Sequence, residues 1–159
     1  MKKIILSLIV LSLLTGNVFS AGSSGGDTKS SYDQAVKLIN SAKKNEEKGK
    51  KEKAQSKYEK AFKLLVKSNK KKPNEADTLN YLGFTSRKLG DFKNGEKYYL
   101  QGLAIDPNHK GINEYLGELY VATNRHNLAV ERLEVLKGCN CEEYEELKAI
   151  IAGEKVSKY

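Results

Sequence analysis

Apolar residues recur at helical spacing along most of the chain. Between residues 43 and 72, the side chains of Ala54, Tyr58, Ala61 and Leu65 are separated by three or four positions, with polar residues between them. This spacing places them on one face of an α-helix. Residues 144–151 repeat the pattern, so the sequence predicts a series of amphipathic helices.

An internal repeat organises these helices. The pair Leu82-Gly83 recurs 34 residues later as Leu116-Gly117, within the strings NYLGFTSRKLGDFKNGEKYYLQGLAIDP and EYLGELYVATNRHNLAVERLEVL. Large and small positions of the two strings mostly correspond when these pairs are aligned. A fixed period of this length is typical of a repeat architecture, in which each unit packs on its neighbours.

The period and its pattern resemble the tetratricopeptide repeat, a unit of two antiparallel helices. The family's apolar, small, turn and terminating positions are occupied in the first of these copies by Leu79, Leu82, Gly83, Gly90, Phe92, Tyr99 and Pro107. Gly95 and Gly102 depart from the family, which has Ala there, and each costs up to about 1 kcal/mol of helix propensity. The resemblance implies an all-α fold: a right-handed α-solenoid of about three helix-turn-helix units and a C-terminal capping helix.

The resemblance covers residues 32–156. We predict units over about 35–72, 76–109 and 110–140, the first being a degenerate copy, and a capping helix over 141–156. The content of Lys, Glu, Leu and Ala, with no Trp and two Pro, agrees with an all-α domain. Three units and a cap form a small but complete solenoid.

The first twenty residues have the composition of a secretory signal peptide. Lys2 and Lys3 precede the apolar run IILSLIVLSLLTG, and small residues around Ser20 and Ala21 follow it. The run is about a dozen residues long, shorter than the roughly 20 that span a bilayer. We expect a cleaved signal over 1–20, a Gly/Ser-rich linker over 21–31 and export to a bacterial periplasm.

The net charge of +8 is concentrated in one segment. Residues 43–72 carry thirteen Lys and four acidic residues, whereas residues 73–159 carry eleven basic and fourteen acidic residues. Since an exported protein meets little nucleic acid, we expect no nucleic-acid partner. We interpret the lysines of 43–72 as the solvated face of a helix. The alternative is contact with anionic lipid head groups or with an acidic partner.

The resemblance also implies a binding function. In the family, the first helices of successive units line a concave groove that holds a peptide or a partner's helix. By position, the corresponding residues here are Val36, Ile39, Lys43, Asp77, Asn80, Phe84, Arg87, Lys88, Glu114, Glu118 and Val121. Glu114 and Glu118 disfavour the version that grips a C-terminal carboxylate. In the alternative interpretation, several of these residues, Arg87 among them, pack against the neighbouring unit.

Motifs for catalysis are absent from the sequence. It contains no G-x-S-x-G, no phosphate-binding loop and no H-E-x-x-H, and His126 falls on a packing position of the repeat. We therefore expect no enzymatic activity, no cofactor and no metal. The predicted function is a protein-binding scaffold.

Cys139 and Cys141 are the two cysteines of the chain. In an oxidising compartment the simplest interpretation is a disulfide. The chain-entropy relation gives so short a loop only about 1.6 kcal/mol of stabilisation, so two alternatives stay open. One is thiol-redox exchange, and the other is binding of a soft metal such as Cu(I), with His109 brought close by the antiparallel helices. A small redox or metal-handling protein on the same scaffold is the rival hypothesis.

The signal peptide generates the first testable prediction. The mature chain should begin at Ala21 or within a few residues of it, because the small residues that suit cleavage lie there. N-terminal sequencing of the exported protein checks this. Recovery of intact Met1 in a membrane fraction would contradict it.

Overall fold

The structure is a computed structural model that describes residues 30–157, so the predicted signal peptide and most of the predicted linker lie outside the described residues. This part of the chain is helical and contains no strand. Its helices are α1 Ser31–Glu47, α2 Lys51–Lys71, α3 Ala76–Lys88, α4 Phe92–Ile105, α5 Lys110–Ala122, α6 His126–Leu136 and α7 Glu142–Ile151. None of the helices between residues 30 and 157 has the length and apolar character needed to cross a membrane.

The helices pack as a stack of three antiparallel pairs. Helices α1 and α2 contact one another, as do α3 with α4 and α5 with α6. The pairs are joined by contacts of α2 with α3 and of α4 with α5. Helix α7 covers the end of the stack by packing on α5 and α6. The prediction of an all-α solenoid of helix-turn-helix units with a terminal helix is confirmed.

The first helix begins inside the segment that we expected to be linker. Ser30 and Asp33 form a capping box: the Ser30 hydroxyl accepts from the Asp33 amide at 3.1 Å, and the Asp33 carboxylate accepts from the Ser30 amide at 3.2 Å. The box satisfies backbone donors that a helix start leaves open. The linker predicted over 21–31 therefore ends before Ser30.

The turns within the pairs use left-handed backbone conformations. Gly90, between α3 and α4, has φ of +84°, and Asn124 has φ of +59° at the position 34 residues later. Gly and Asn adopt this region at the lowest cost, which explains how both residues can end a helix and reverse the chain. The predicted turn at Gly90 is confirmed.

Close contacts at glycines set the distance between helices. An ideal Cβ on Gly83 of α3 would lie 2.6 Å from Cδ1 and 2.8 Å from Cζ of Tyr99, a fully buried residue of α4. At Gly102, a Cβ would overlap the side chain of Ile112 in the next unit. The family has Ala at the position of Gly102. Glycine here costs helix propensity but permits a tight contact between units.

Helix α7 seals the stack with two buried side chains. Leu147 and Ile150 are buried, and an ideal Cβ on Gly117 of α5 would lie 2.6 Å from Cδ2 of Leu147. The helix spans Glu142–Ile151 and is shorter than the predicted 141–156, since Gly153 at φ of +73° ends it. The residues that follow turn back towards α5, where the Ser157 hydroxyl donates to Glu118 at 3.0 Å.

The contact between Gly83 and Tyr99 generates a stability prediction. Gly83→Ala should lower the free energy of unfolding by about 1–3 kcal/mol, because a buried aromatic ring must move to admit the methyl group. Urea denaturation measures this. The double variant Gly83→Ala/Tyr99→Leu should lose less than the two single losses added together. Strict additivity, or a stabilising Gly83→Ala, would contradict the contact.

Candidate functional site

A groove of about 930 Å³ runs along one side of the stack. Its walls come from the first helix of each pair, α1, α3 and α5, together with the start of α2, α7 and the residues after α7. The lining residues are Lys43, Glu46, Glu47, Lys51, Gln55, Phe84, Lys88, Glu114, Tyr115, Glu118, Glu142, Glu143, Glu146, Ile150, Lys155 and Val156. The groove therefore lies where repeated first helices leave a concave surface.

Aromatic rings form the floor of the groove. Phe84 lies between Tyr58 and Tyr115, with ring centroids 5.9 Å and 5.2 Å away. The Lys43 ammonium group is 4.7 Å from the centroid of Phe84, and it donates to the Tyr115 hydroxyl at 3.4 Å. This geometry is a cation–π contact, in which the ring face attracts the positive charge. The predicted groove residues Lys43 and Phe84 thus meet in one cluster.

A second cluster joins Lys88 of α3 to Glu46 of α1 and Tyr58 of α2. Its ammonium group is 2.8 Å from Oε1 of Glu46, and the Tyr58 hydroxyl donates to Oε2 of the same carboxylate at 2.9 Å. The hydrogen bond to Glu46 adds to burial in raising the pKa of Tyr58 well above its usual value. Lys43 and Lys88, the two lysines predicted for the groove surface, therefore already have partners within the chain.

Arg87 lies beneath the groove. Its side chain has no exposed surface, Nη2 is 3.2 Å from Oε2 of Glu118, and Nη1 donates to the carbonyl of Tyr115. The Glu118 side chain is also nearly buried, at 6 % exposure. The expectation that Arg87 projects into the groove is wrong, because helix α5 of the next unit covers the guanidinium. The alternative interpretation, packing against the neighbouring unit, describes Arg87 correctly.

Carboxylates gather on the walls made by α5 and α7. Burial is the main cause that raises the pKa of Glu114 to about 8; the negative charges of Glu118, Glu143 and Glu146 add to the shift, and Lys43 opposes it. Repulsion and lost hydration both disfavour the ionised form of a carboxylate in this position. No salt bridge to Glu114 or Glu143 occurs between residues 30 and 157.

Asp77 and Asn80 lie away from the groove, at the junction of α3 with the start of α5. Oδ1 of Asp77 is 3.1 Å from Nε2 of His109, whose Nδ1 accepts from the amide of Ile112 at 3.2 Å. Asn80 is buried, and an ideal Cβ on Gly111 would lie 2.9 Å from its Nδ2. These two predicted groove residues therefore join neighbouring units.

Three apolar residues that the family resemblance assigned to the groove do not line it. Ile39 is completely buried in the core. Val36 and Val121 are half-buried, and Val121 packs against the core of the last two units. None of the three lines the groove.

Cys139 and Cys141 form a disulfide in the turn between α6 and α7. Cys141 is the residue immediately before α7, which forms one wall of the groove. The disulfide therefore constrains the turn that leads into this helix. Both ring nitrogens of His109 are engaged with Asp77 and Ile112. Among the residues that the structure describes, no group of three or more His, Cys, Asp or Glu side chains could hold a metal.

Sequence reasoning missed the contribution of α7 and its continuation. Glu142, Glu143 and Glu146 line the groove, and Lys155 contacts Glu146. Glu143 lies one turn before Leu147 and Glu146 one turn before Ile150, so both stand beside the buried face of α7 and not opposite it. Whether they face the groove depends on the angle at which α7 packs, and the repeat pattern does not give that angle.

Comparisons with known proteins agree with this geometry. Residues 68–109 match the tetratricopeptide repeat family. A solved structure described as the first TPR of Spaghetti (RPAP3) bound to HSP90 peptide SRMEEVD is similar at a TM-score of 0.55 and 18 % identity, covering 79 % of this chain and 96 % of that one. The Arabidopsis OM64 TPR domain has a TM-score of 0.49 and 12 % identity, covering 79 % and 99 %.

None of the curated proteins compared with the chain is significantly similar to it in sequence. Residues 68–109 thus resemble a tetratricopeptide repeat, and the described chain shares the fold of a solved TPR domain.

The buried pair of Arg87 and Glu118 generates a second stability prediction. Arg87→Met should lower the free energy of unfolding by about 3 kcal/mol, because the Glu118 carboxylate stays buried without its cation. Chemical denaturation measures this, and the double variant Arg87→Met/Glu118→Met should recover most of the loss.

The matched control is Arg125→Met, which breaks a partly exposed pair with Glu96 at 2.8 Å. Its cost should be smaller than that of Arg87→Met, because water reaches and screens these charges. A loss for Arg87→Met no larger than that of Arg125→Met would contradict the account of Arg87.

Proposed function

We propose that this protein is a non-catalytic scaffold that holds an extended segment of a partner protein in its groove. The observation that carries the proposal is the continuous groove of about 930 Å³ along α1, α3, α5 and α7. Its volume is within the range of ligand-binding clefts, and its aromatic floor offers rigid contact area at low entropic cost. The first TPR of Spaghetti (RPAP3), solved bound to HSP90 peptide SRMEEVD, is an example of this fold in complex with a peptide.

The charges of the groove favour a segment that carries Lys or Arg. Seven glutamates and four lysines line it, and Lys43 and Lys88 are engaged by aromatic rings and by Glu46. Within residues 30–157, Glu114 and Glu143 form no salt bridge. A partner's ammonium or guanidinium group beside Glu114 would lower the raised pKa of that carboxyl and ionise it, so binding would release a proton at neutral pH.

Export is part of the proposal. The signal-like composition of residues 1–20 supports a periplasmic location, and the Cys139–Cys141 disulfide is of a kind that persists in oxidising compartments. The partner would then be another exported protein. The rival hypothesis of thiol-redox or soft-metal handling stays a prediction, and it requires cysteine substitutions, not groove substitutions, to abolish function.

Charge reversal on the groove wall tests the proposal. Glu114→Lys/Glu143→Lys should weaken capture of the partner from periplasmic extract at least about tenfold, because like charges placed across an interface cost several kcal/mol. Affinity capture at matched bait concentration, followed by quantitative mass spectrometry, measures the loss. Far-ultraviolet circular dichroism must show unchanged helix content. We prefer this pair to Phe84 and Arg87, which are buried and whose loss would disturb the fold.

The matched control is Glu131→Lys/Glu134→Lys on α6, an equal change of charge on exposed residues outside the groove. Capture by this control should equal that of the unaltered chain. Equal capture by both double variants would refute the groove as the binding site. Loss of capture by a Cys139→Ser/Cys141→Ser variant alone would support the rival hypothesis.

A further inference from the structure

A row of exposed lysines follows the outer face of α2. Its members are Lys53, Lys60, Lys63, Lys67, Lys70 and Lys71. At 100° per residue they lie within about 100° of one another around the helix, and at about 1.5 Å per residue the row is about 27 Å long. We call this set the lysine row.

The buried side of α2 lies opposite the lysine row. Ala54, Tyr58, Ala61 and Leu65 are buried against α1 and α3, and they occupy the other half of the helix circumference. Lys57 lies at the boundary and donates to the Ser41 hydroxyl at 2.8 Å, which ties it to α1. The lysine row therefore points to solvent and has no role in packing.

Negative charge compensates the lysine row only in part. Helix α2 has eight lysines and two exposed glutamates, Glu52 and Glu59, which lie along one edge of the row, and within the described part of the chain no member of the row forms a salt bridge. None of the row residues lines the groove. A partner could thus cover the lysine row while the groove remains open.

The chemistry of the row points to a diffuse anionic plane. Lysine is a flexible point charge without the fork geometry by which arginine recognises individual phosphates or carboxylates, and α2 has no arginine. The exposed large apolar residues of the described chain all lie outside α2, so this face lacks the apolar core of a stable protein interface. It also lacks exposed aromatic rings that could stack on nucleic-acid bases. A bilayer with anionic head groups needs none of these features.

We propose that the outer face of α2 docks electrostatically on a membrane surface rich in anionic lipid head groups, leaving the groove free for its partner. No side chain of the lysine row is apolar enough to insert, so the contact stays at head-group level. Binding should therefore depend steeply on ionic strength, because the Debye length falls from about 10 Å to about 3 Å between 0.1 M and 1 M salt.

Vesicle sedimentation tests the proposal with the complete chain. The probes are vesicles of phosphatidylcholine containing about 30 % phosphatidylglycerol and vesicles of phosphatidylcholine alone. Insertion of the apolar residues near the N-terminus would contribute to both types, so the difference between them isolates the effect of head-group charge. We expect at least about tenfold stronger binding to the anionic vesicles, lost at about 1 M salt.

A charge-matched pair of variants distinguishes the lysine row from net charge. Lys60→Gln/Lys63→Gln/Lys67→Gln should lose at least about tenfold of the binding to anionic vesicles. Lys93→Gln/Lys97→Gln/Lys110→Gln removes the same charge from exposed positions on α4 and α5 and should bind as the unaltered chain does. Partner capture through the groove should be unchanged in both.

Three results would overturn the proposal: equal binding to the two vesicle types, equal loss in the two variants, or binding to soluble polyglutamate without binding to vesicles. The last would assign the lysine row to an acidic protein.

Discussion

The guanidinium of Arg87 joins three parts of the stack beneath the groove. From α3 it reaches the Tyr115 carbonyl and the Glu118 carboxylate of α5, and Glu118 also accepts from Ser157 after α7. A buried charge of this kind tolerates little displacement, because each broken contact leaves a polar group without water or partner. The relative position of α3, α5 and the C-terminal segment follows from this constraint, and so does the shape of the groove floor above it.

Small residues allow the close helix spacing that accompanies the ion pair of Arg87 and Glu118. Gly83 admits the ring of Tyr99, and Gly117 admits Leu147, so the helices that carry these residues approach closely. The groove side instead receives long side chains, which satisfy one another through cation–π contacts and hydrogen bonds. The result is a surface that is rigid at its floor and charged at its walls.

Much of the fold could be predicted from local signals. The pair spacing, the turn at Gly90 and the close approach at Gly83 follow from sterics that act within one or two units, so a repeat pattern reveals them. The site was harder to predict, because the position of a residue on a helix face gives its direction but not its depth. Arg87 has the expected direction, but α5 covers it. Asp77 lies in the first turn of α3 and meets His109 instead of the groove.

The wall formed by α7 shows a different limit. Its amphipathic pattern predicted a sealing helix, and Leu147 confirms that role. The orientation of α7 depends on the turn that contains the Cys139–Cys141 disulfide, which has no counterpart in the repeat pattern. The three glutamates of this helix that line the groove were therefore visible in the sequence but could not be assigned to the site without the packing.

Site-specific photo-cross-linking in the cell that produces the protein tests the central claim most directly. A photoreactive residue at position 142 would stand at the exposed rim of the groove, and one at position 101 would stand on exposed α4 outside it. The account predicts a discrete cross-linked partner from position 142 and none from position 101. Cross-linking of the same partner from position 101 alone would contradict it.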